Sequence, residues 1–193
     1  YMGQYLSPYI SLSILGTFMI FSLGIKDVLL LPKAIAQTRQ QANTNRSAWQ
    51  VTLPPQATVW RKKGSSLTGK LVKFDPKTLT VEAGGDSENV PLTEVKSVEF
   101  TLQDEIWVNL PSGTRRSARR IRTSPPPVEG VPASALKIGS TNDSVVLNLA
   151  QVLSDEQFGK LTSNQNKIYV LKTIEMTAPN KMTIYLRAYG SQG

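Results

Sequence analysis

Leu67-Thr68-Gly69-Lys70-Leu71-Val72-Lys73-Phe74-Asp75-Pro76-Lys77-Thr78-Leu79-Thr80-Val81 is the stretch that decides the fold. From Leu67 to Phe74 the side chains alternate. Leu67, Gly69, Leu71 and Lys73 fall on one side, and Thr68, Lys70, Val72 and Phe74 on the other, which is the period of a strand. Asp75-Pro76-Lys77 reverses the chain, because proline fixes φ and aspartate caps a turn with its own carboxylate. Leu79 and Val81 then share one face of the next strand, opposite Thr78, Thr80 and Glu82.

The same grammar extends in both directions. Ala57 to Arg61 reads as a preceding strand, closed by the turn Lys62-Lys63-Gly64-Ser65. Downstream, Gly84-Gly85-Asp86 turns into Asn89 to Leu92, and Thr93-Glu94-Val95 makes a one-turn bend before Ser97 to Thr101. Short strands at a spacing of roughly 8 to 12 residues predict a small sandwich or closed barrel. Ile106 to Leu110 adds a strand that Pro111-Ser112-Gly113 ends. Residues 111–132 then hold the arginine run and Ser124-Pro125-Pro126-Pro127. Proline has no donor for a central strand, so this stretch reads as an extended basic linker and a domain boundary. In residues 133–193, Ser144 to Leu149 is a strand, and Ile168 to Met176 with Met182 to Tyr189 form a hairpin across Ala178-Pro179-Asn180. Between them, Ser154 and Gln157 can form a capping box, with Leu153 and Phe158 as its hydrophobic staple, which predicts one short helix.

From the first strand, through Leu67 to Asp75, to Val90-Pro91-Leu92 and Val95-Lys96-Ser97-Val98, the chain resembles an SH3-like small barrel of the Sm-like kind. The resemblance covers Ala57 to Phe100, within a barrel segment of residues 51–110. It implies a small barrel; with the pattern of residues 133–193, the expected fold is mainly β, a small barrel followed by a smaller β-rich region with one short helix. The Sm family binds RNA through an Asn after its Phe-Asp pair and an Arg-Gly in its second motif. Here Pro76, Lys77 and Thr78 follow Asp75, and the second motif reads Lys96-Ser97-Val98-Glu99, so the RNA-reading residues are missing. The stretch from Ala135-Leu136-Lys137 to Tyr169-Val170-Leu171 is similar to exported cyanobacterial proteins, a likeness that brings no activity with it.

Residues 1–36 fix where such a protein works. Residues 1 to 25 carry no charged side chain, Tyr9 to Ile25 is almost wholly apolar, and Ala34-Ile35-Ala36 precedes a polar tract. That pattern reads as an export signal with a small-x-small cleavage site. Leu6 to Ile25 is also long enough for a retained membrane anchor, an N-terminal hydrophobic helix of about 20 residues. Residues 37–50 read as a flexible polar tether. The expected location is the periplasm, cell envelope or a thylakoid-type lumen, with membrane contact through residues 6–25.

Composition narrows the chemistry. The chain has neither cysteine nor histidine, which removes disulfides, thiol nucleophiles, Ser-His-Asp catalysis and zinc sites built from His and Cys. A secreted eukaryotic domain of this size often carries disulfides, so their absence favours a bacterial envelope. The formal charge is +8, and residues 1–36 contribute a net +1 through Lys26, Lys33 and Asp27, leaving +7 for the remainder. Such an excess favours anionic partners, and solubility alone also accounts for it.

Arg115, Arg116, Arg119, Arg120 and Arg122 are the candidate anion-binding residues, five guanidiniums within eight positions. Alternation puts Arg116, Arg120 and Arg122 on one face and Arg115 and Arg119 on the other. The plainer reading is a solvated charged loop. Arg61-Lys62-Lys63 can extend the basic surface or simply protect a hairpin tip. Trp60 and Trp107 lie in strand patterns and are expected in the core, whereas Trp49, beside the tether, is expected to be exposed. Ser134-Ala135-Leu136-Lys137 matches Ser-x-x-Lys, but its companion elements are missing. Asp104-Glu105 and Asp155-Glu156 are adjacent pairs and do not face one substrate. No cofactor motif is present, and Gly84-Gly85 reads as a hairpin tip.

The expected function is non-catalytic binding or scaffolding at the envelope. The partner would be an anionic component, a lipid headgroup or acidic glycan, or another envelope protein. An enzyme acting on envelope polysaccharide or peptidoglycan is one alternative. A nucleic-acid-binding Sm-like protein is the other, disfavoured because no aromatic residues interleave with the arginines.

Overall fold

A computed structural model describes residues 48–109, 113–141, 143–163 and 167–191. The apolar run Leu6 to Ile25, read as an export signal or hydrophobic anchor helix, Ala34-Ile35-Ala36, read as a cleavage site, and residues 37–47, read as a tether, lie outside the described residues. The protein is mainly β, with a curled half-barrel sheet and a single α-helix among the described residues.

The first half follows the sequence closely. Strands β2 (Ala57–Arg61), β3 (Leu67–Phe74), β4 (Thr78–Ala83) and β5 (Asp86–Pro91) form a meander. A 3-10 turn at Leu92–Glu94 leads into β6 (Val95–Phe100), which returns to pair antiparallel with β2. Strict alternation in β3 would separate Leu71 from Phe74, yet both are in the core. The β3–β4 register slips between Leu71 and Lys73, and this bulge bends the strand so that both side chains turn inward. Asp75 holds the β3–β4 turn. Its carboxylate accepts from the Lys77 N–H at 2.9 Å, the Thr78 N–H at 2.8 Å and the Thr78 hydroxyl at 3.0 Å. These bonds, the Lys77 one foremost, lower its pKa from 3.8 to about 2. Gly84 and Gly85 take φ of 62° and 95° in the two-residue β4–β5 turn, where a side chain would be strained.

The second half departs from expectation. Ala48, Trp49 and Gln50, read as the end of the tether, open strand β1 (Ala48–Thr52). It pairs with β11 (Ser144–Asn148) and meets β12 (Lys167–Ala178) in parallel at Thr52 and Val170. The stretch read as a linker contains two strands, β8 (Arg115–Arg120) and β9 (Val128–Pro132). β8 pairs on one side with β7 (Glu105–Asn109) and on the other with β13 (Lys181–Ser191). β9 pairs with β13. Proline tolerates this placement because Pro132 ends β9, where the chain enters a 3-10 turn at Ala133–Ala135 and then β10 (Leu136–Ile138). A ladder therefore runs β9–β13–β12–β1–β11–β10, and the Ala133–Ala135 corner joins its two ends.

This corner repeats the one in the first half. Val90-Pro91-Leu92-Thr93-Glu94-Val95-Lys96 and Val131-Pro132-Ala133-Ser134-Ala135-Leu136-Lys137 share Val-Pro and a closing apolar residue before Lys. Pro91 and Pro132 have φ/ψ of −60°/135° and −67°/144°, and each turn closes by an N–H donating to the carbonyl of its first residue, Leu92 or Ala133. Val90, Leu92 and Val95 are buried, as are Val131, Ala133 and Leu136.

Both halves share one core. Val59, Leu71, Leu79 and Val98 from the meander belong to the same buried cluster as Leu147, Ile174, Met182 and Ile184. Each such side chain contributes about 1.5–3 kcal/mol on burial. β6 and β12 join the halves by backbone pairing over Ser97–Glu99 and Thr173–Glu175. The predicted face Met182, Ile184, Leu186 and Ala188 is buried in β13, as is Tyr189 on the opposite face. Helix α1 (Asp155–Thr162) starts at the predicted capping box: the Gln157 N–H donates to Ser154 Oγ at 3.3 Å and the Ser154 N–H to Gln157 Oε1 at 3.0 Å. Leu153 and Phe158 both pack against the core.

Candidate functional site

The arginine run is half of the β7–β8 hairpin rather than a solvated loop. A small second cluster explains its position: Ala118, Val170 and Tyr189 are buried together, with Leu102, Ile106 and Ile168 packed on them. Ala118 is the one fully buried side chain of β8, and it anchors the strand over the outer face of β12 and β13. The base of the hairpin is pinned by the Tyr189 hydroxyl donating to the Gln103 carbonyl. The Arg120 N–H also donates to the Asp104 carbonyl at 2.9 Å. Burial raises the Tyr189 pKa above its usual 10.0.

Strand alternation divides the arginines. Arg115 and Arg119 share a face with Ser117, opposite Asn109, Trp107 and Glu105 of β7. Arg115 and Arg119 are exposed; the Arg115 guanidinium lies 5.8 Å from the centre of the Trp107 ring, and Arg119 reaches Glu105 at 3.8 Å. Arg116 and Arg120 lie on the face of Ala118, with Arg120 bound to Asp104 at 2.6 Å. Arg122 follows the strand and is exposed. Four of the five are thus gathered on one strand, with Arg122 just beyond it, and they do not share one surface. Asp104 and Glu105 are the counter-ions of Arg120 and Arg119, and exposed pairs of this kind contribute about 0–1 kcal/mol each. At the first meander turn, Arg61 pairs with Glu88, and Lys62 Nζ donates to the Thr93 carbonyl at 2.8 Å.

The tryptophans exchange their expected places. Trp107 is 61% exposed and Trp60 44%, whereas Trp49 is half-buried against Tyr169, edge-to-face at 4.9 Å. The reason is period two. Ala57 and Val59 occupy the core face of β2, and Ile106 and Val108 the more buried face of β7, so the tryptophan between or after them points outward.

Alongside β7 runs an open groove of about 720 Å³. Among the described residues β7 pairs with β8 alone, and Ile106 to Asn109 line the groove, with β1 and the start of β12 among the other walls. Trp49, Trp107 and Tyr169 supply aromatic surface, and Gln50, Gln103 and Asn109 supply amides. Among the described residues that line it, Lys70 and Lys167 are cationic and Asp143 is the single carboxylate. Nothing local in the sequence marks this groove, because its walls come from residues between 49 and 189. A second cavity of about 430 Å³ lies between α1 and Ser124–Pro127.

The remaining motifs are dispersed. Ser134 and Lys137 are both exposed at the second corner. Glu156 pairs with Lys160 along α1 at 2.7 Å. No group of three or more potential metal ligands occurs among the described residues, and no helix there is long and apolar enough to cross a membrane. Comparison with protein-family models, with curated proteins and with solved structures finds no match for this chain.

Proposed function

We propose that the chain is an exported, non-catalytic binding or scaffolding protein that holds an anionic component of the cell envelope through its β7–β8 hairpin. The observation that carries this reading is the exposed Trp107 ring with Arg115 over it and Arg119 on the same face. A large amphipathic ring beside guanidiniums suits a headgroup or acidic glycan, where apolar contact and charge are needed together. Export is supported by the apolar run Leu6 to Ile25 and by Ala34-Ile35-Ala36. The β2–β6 unit is read as an SH3-like barrel, because its meander, 3-10 corner and closing β6–β2 pair follow that order.

The test compares the full chain with a variant carrying Ala at Arg115, Arg116, Arg119, Arg120 and Arg122. Retention on zwitterionic vesicles reports the apolar leader alone. The excess on anionic vesicles or an acidic glycan matrix reports the arginines. The reading expects that excess to fall with salt and to vanish in the variant; an unchanged excess refutes it.

A further inference from the structure

We propose that the groove beside β7 is a binding site for a carboxylated saccharide chain, with Trp107 as its stacking surface. This rests on the anionic-partner reading above and narrows it to one ligand class.

Four observations converge. The groove, at about 720 Å³, lies within the ~300–1,000 Å³ of ordinary ligand sites, and it is open, as a polymer passing through requires. Trp107 is 61% exposed at its lip, with the Arg115 guanidinium 5.8 Å from the ring centre. The C–H face of a sugar ring is apolar and matches an indole, while its hydroxyls remain free for polar partners. Gln103 and Asn109 provide those partners, since a planar amide donates and accepts at once, as a hydroxyl does. Finally, Lys70 and Lys167 outnumber Asp143 along the groove, so a sugar carboxylate bound there meets a net positive charge. An extended peptide added to the β7 edge is the competing occupant. It would use backbone pairing and has no need of an exposed indole.

The experiment is calorimetric titration of the full chain, in neutral detergent, with oligogalacturonate and oligo-alginate, their methyl esters, and poly-glutamate. The inference expects binding of at least one uronate oligomer and about tenfold weaker binding of its ester. Trp107→Ala should weaken uronate binding about tenfold, Trp107→Phe should restore part of it, and Asn109→Ala should weaken it several-fold. Poly-glutamate binding as tight as the uronates, or uronate binding indifferent to Trp107→Ala, overturns the saccharide assignment. If neither uronate binds while the excess on anionic vesicles persists, this inference fails and the anionic-partner reading stands. If both are absent, both fail.

Discussion

Among the described glycines, adding one methyl group to Gly69 should destabilise this protein more than any other glycine-to-alanine change. Gly69 lies in β3 opposite Ala57 of β2, and β4 flanks its other side. A Cβ there would stand 2.3 Å from the Glu82 carbonyl oxygen, 2.8 Å from Val81 Cγ1 and 2.9 Å from the Glu82 carbonyl carbon. Ordinary contact needs 3.4 Å or more, so β3 and β4 must part by about 1 Å. Two of the three obstacles are backbone in a paired strand and cannot turn aside as a side chain can. The cost should be about 3 kcal/mol, at the upper end for overpacking. For a domain of this size that lowers Tm by about 6–12 °C. Gly159→Ala is the matched control. The same methyl meets nothing within 4 Å on α1 and should stabilise by about 0.5–1 kcal/mol. Thermal unfolding followed by circular dichroism measures both. A Gly69→Ala protein that melts with or above the parent would refute the close β3–β4 approach.

Other consequences can be checked in parallel. Ile174→Ala removes a fully buried side chain where β12 meets β6 and should cost about 2–5 kcal/mol. Because the core is shared, urea unfolding of that variant should remain a single transition, and separate transitions for the two halves would contradict it. Ser154→Ala should cost about 1 kcal/mol and speed amide exchange in the first turn of α1. Asp75 has a depressed folded pKa, so its stabilising contribution is present above about pH 4 and lost as pH falls towards about 2. Asp75→Asn should flatten this acid limb in urea midpoints measured across that range.

What the sequence made legible was local. β3 announced itself by period two and the Asp75-Pro76 turn, and α1 by Ser154 and Gln157, whose reciprocal bonds need only four residues. β8 was hidden because its partners are distant: Ala118 is its single buried side chain, and Tyr189–Ser191 of β13 supply its second ladder. β9 was obscured by prolines around it, although Val131-Pro132 repeats Val90-Pro91 and was a readable sign of a second corner. Trp60 and Trp107 were misplaced because membership of a strand does not decide a face. The neighbours Val59, Ile106 and Val108 decide it. The groove was beyond local reading, since Trp49, Gln103, Trp107 and Tyr169 meet only when the sheet curls.

The most direct trial is a residue-resolved NMR titration of the full chain with an anionic ligand, oligogalacturonate or a short-chain phosphatidylglycerol. Binding at the hairpin predicts shifts at the Trp107 indole N–H and at the Asn109, Arg115 and Arg119 amides, shrinking as salt rises. Shifts confined to the α1 cavity around Leu153 and Leu161, or none at any salt concentration, would contradict it.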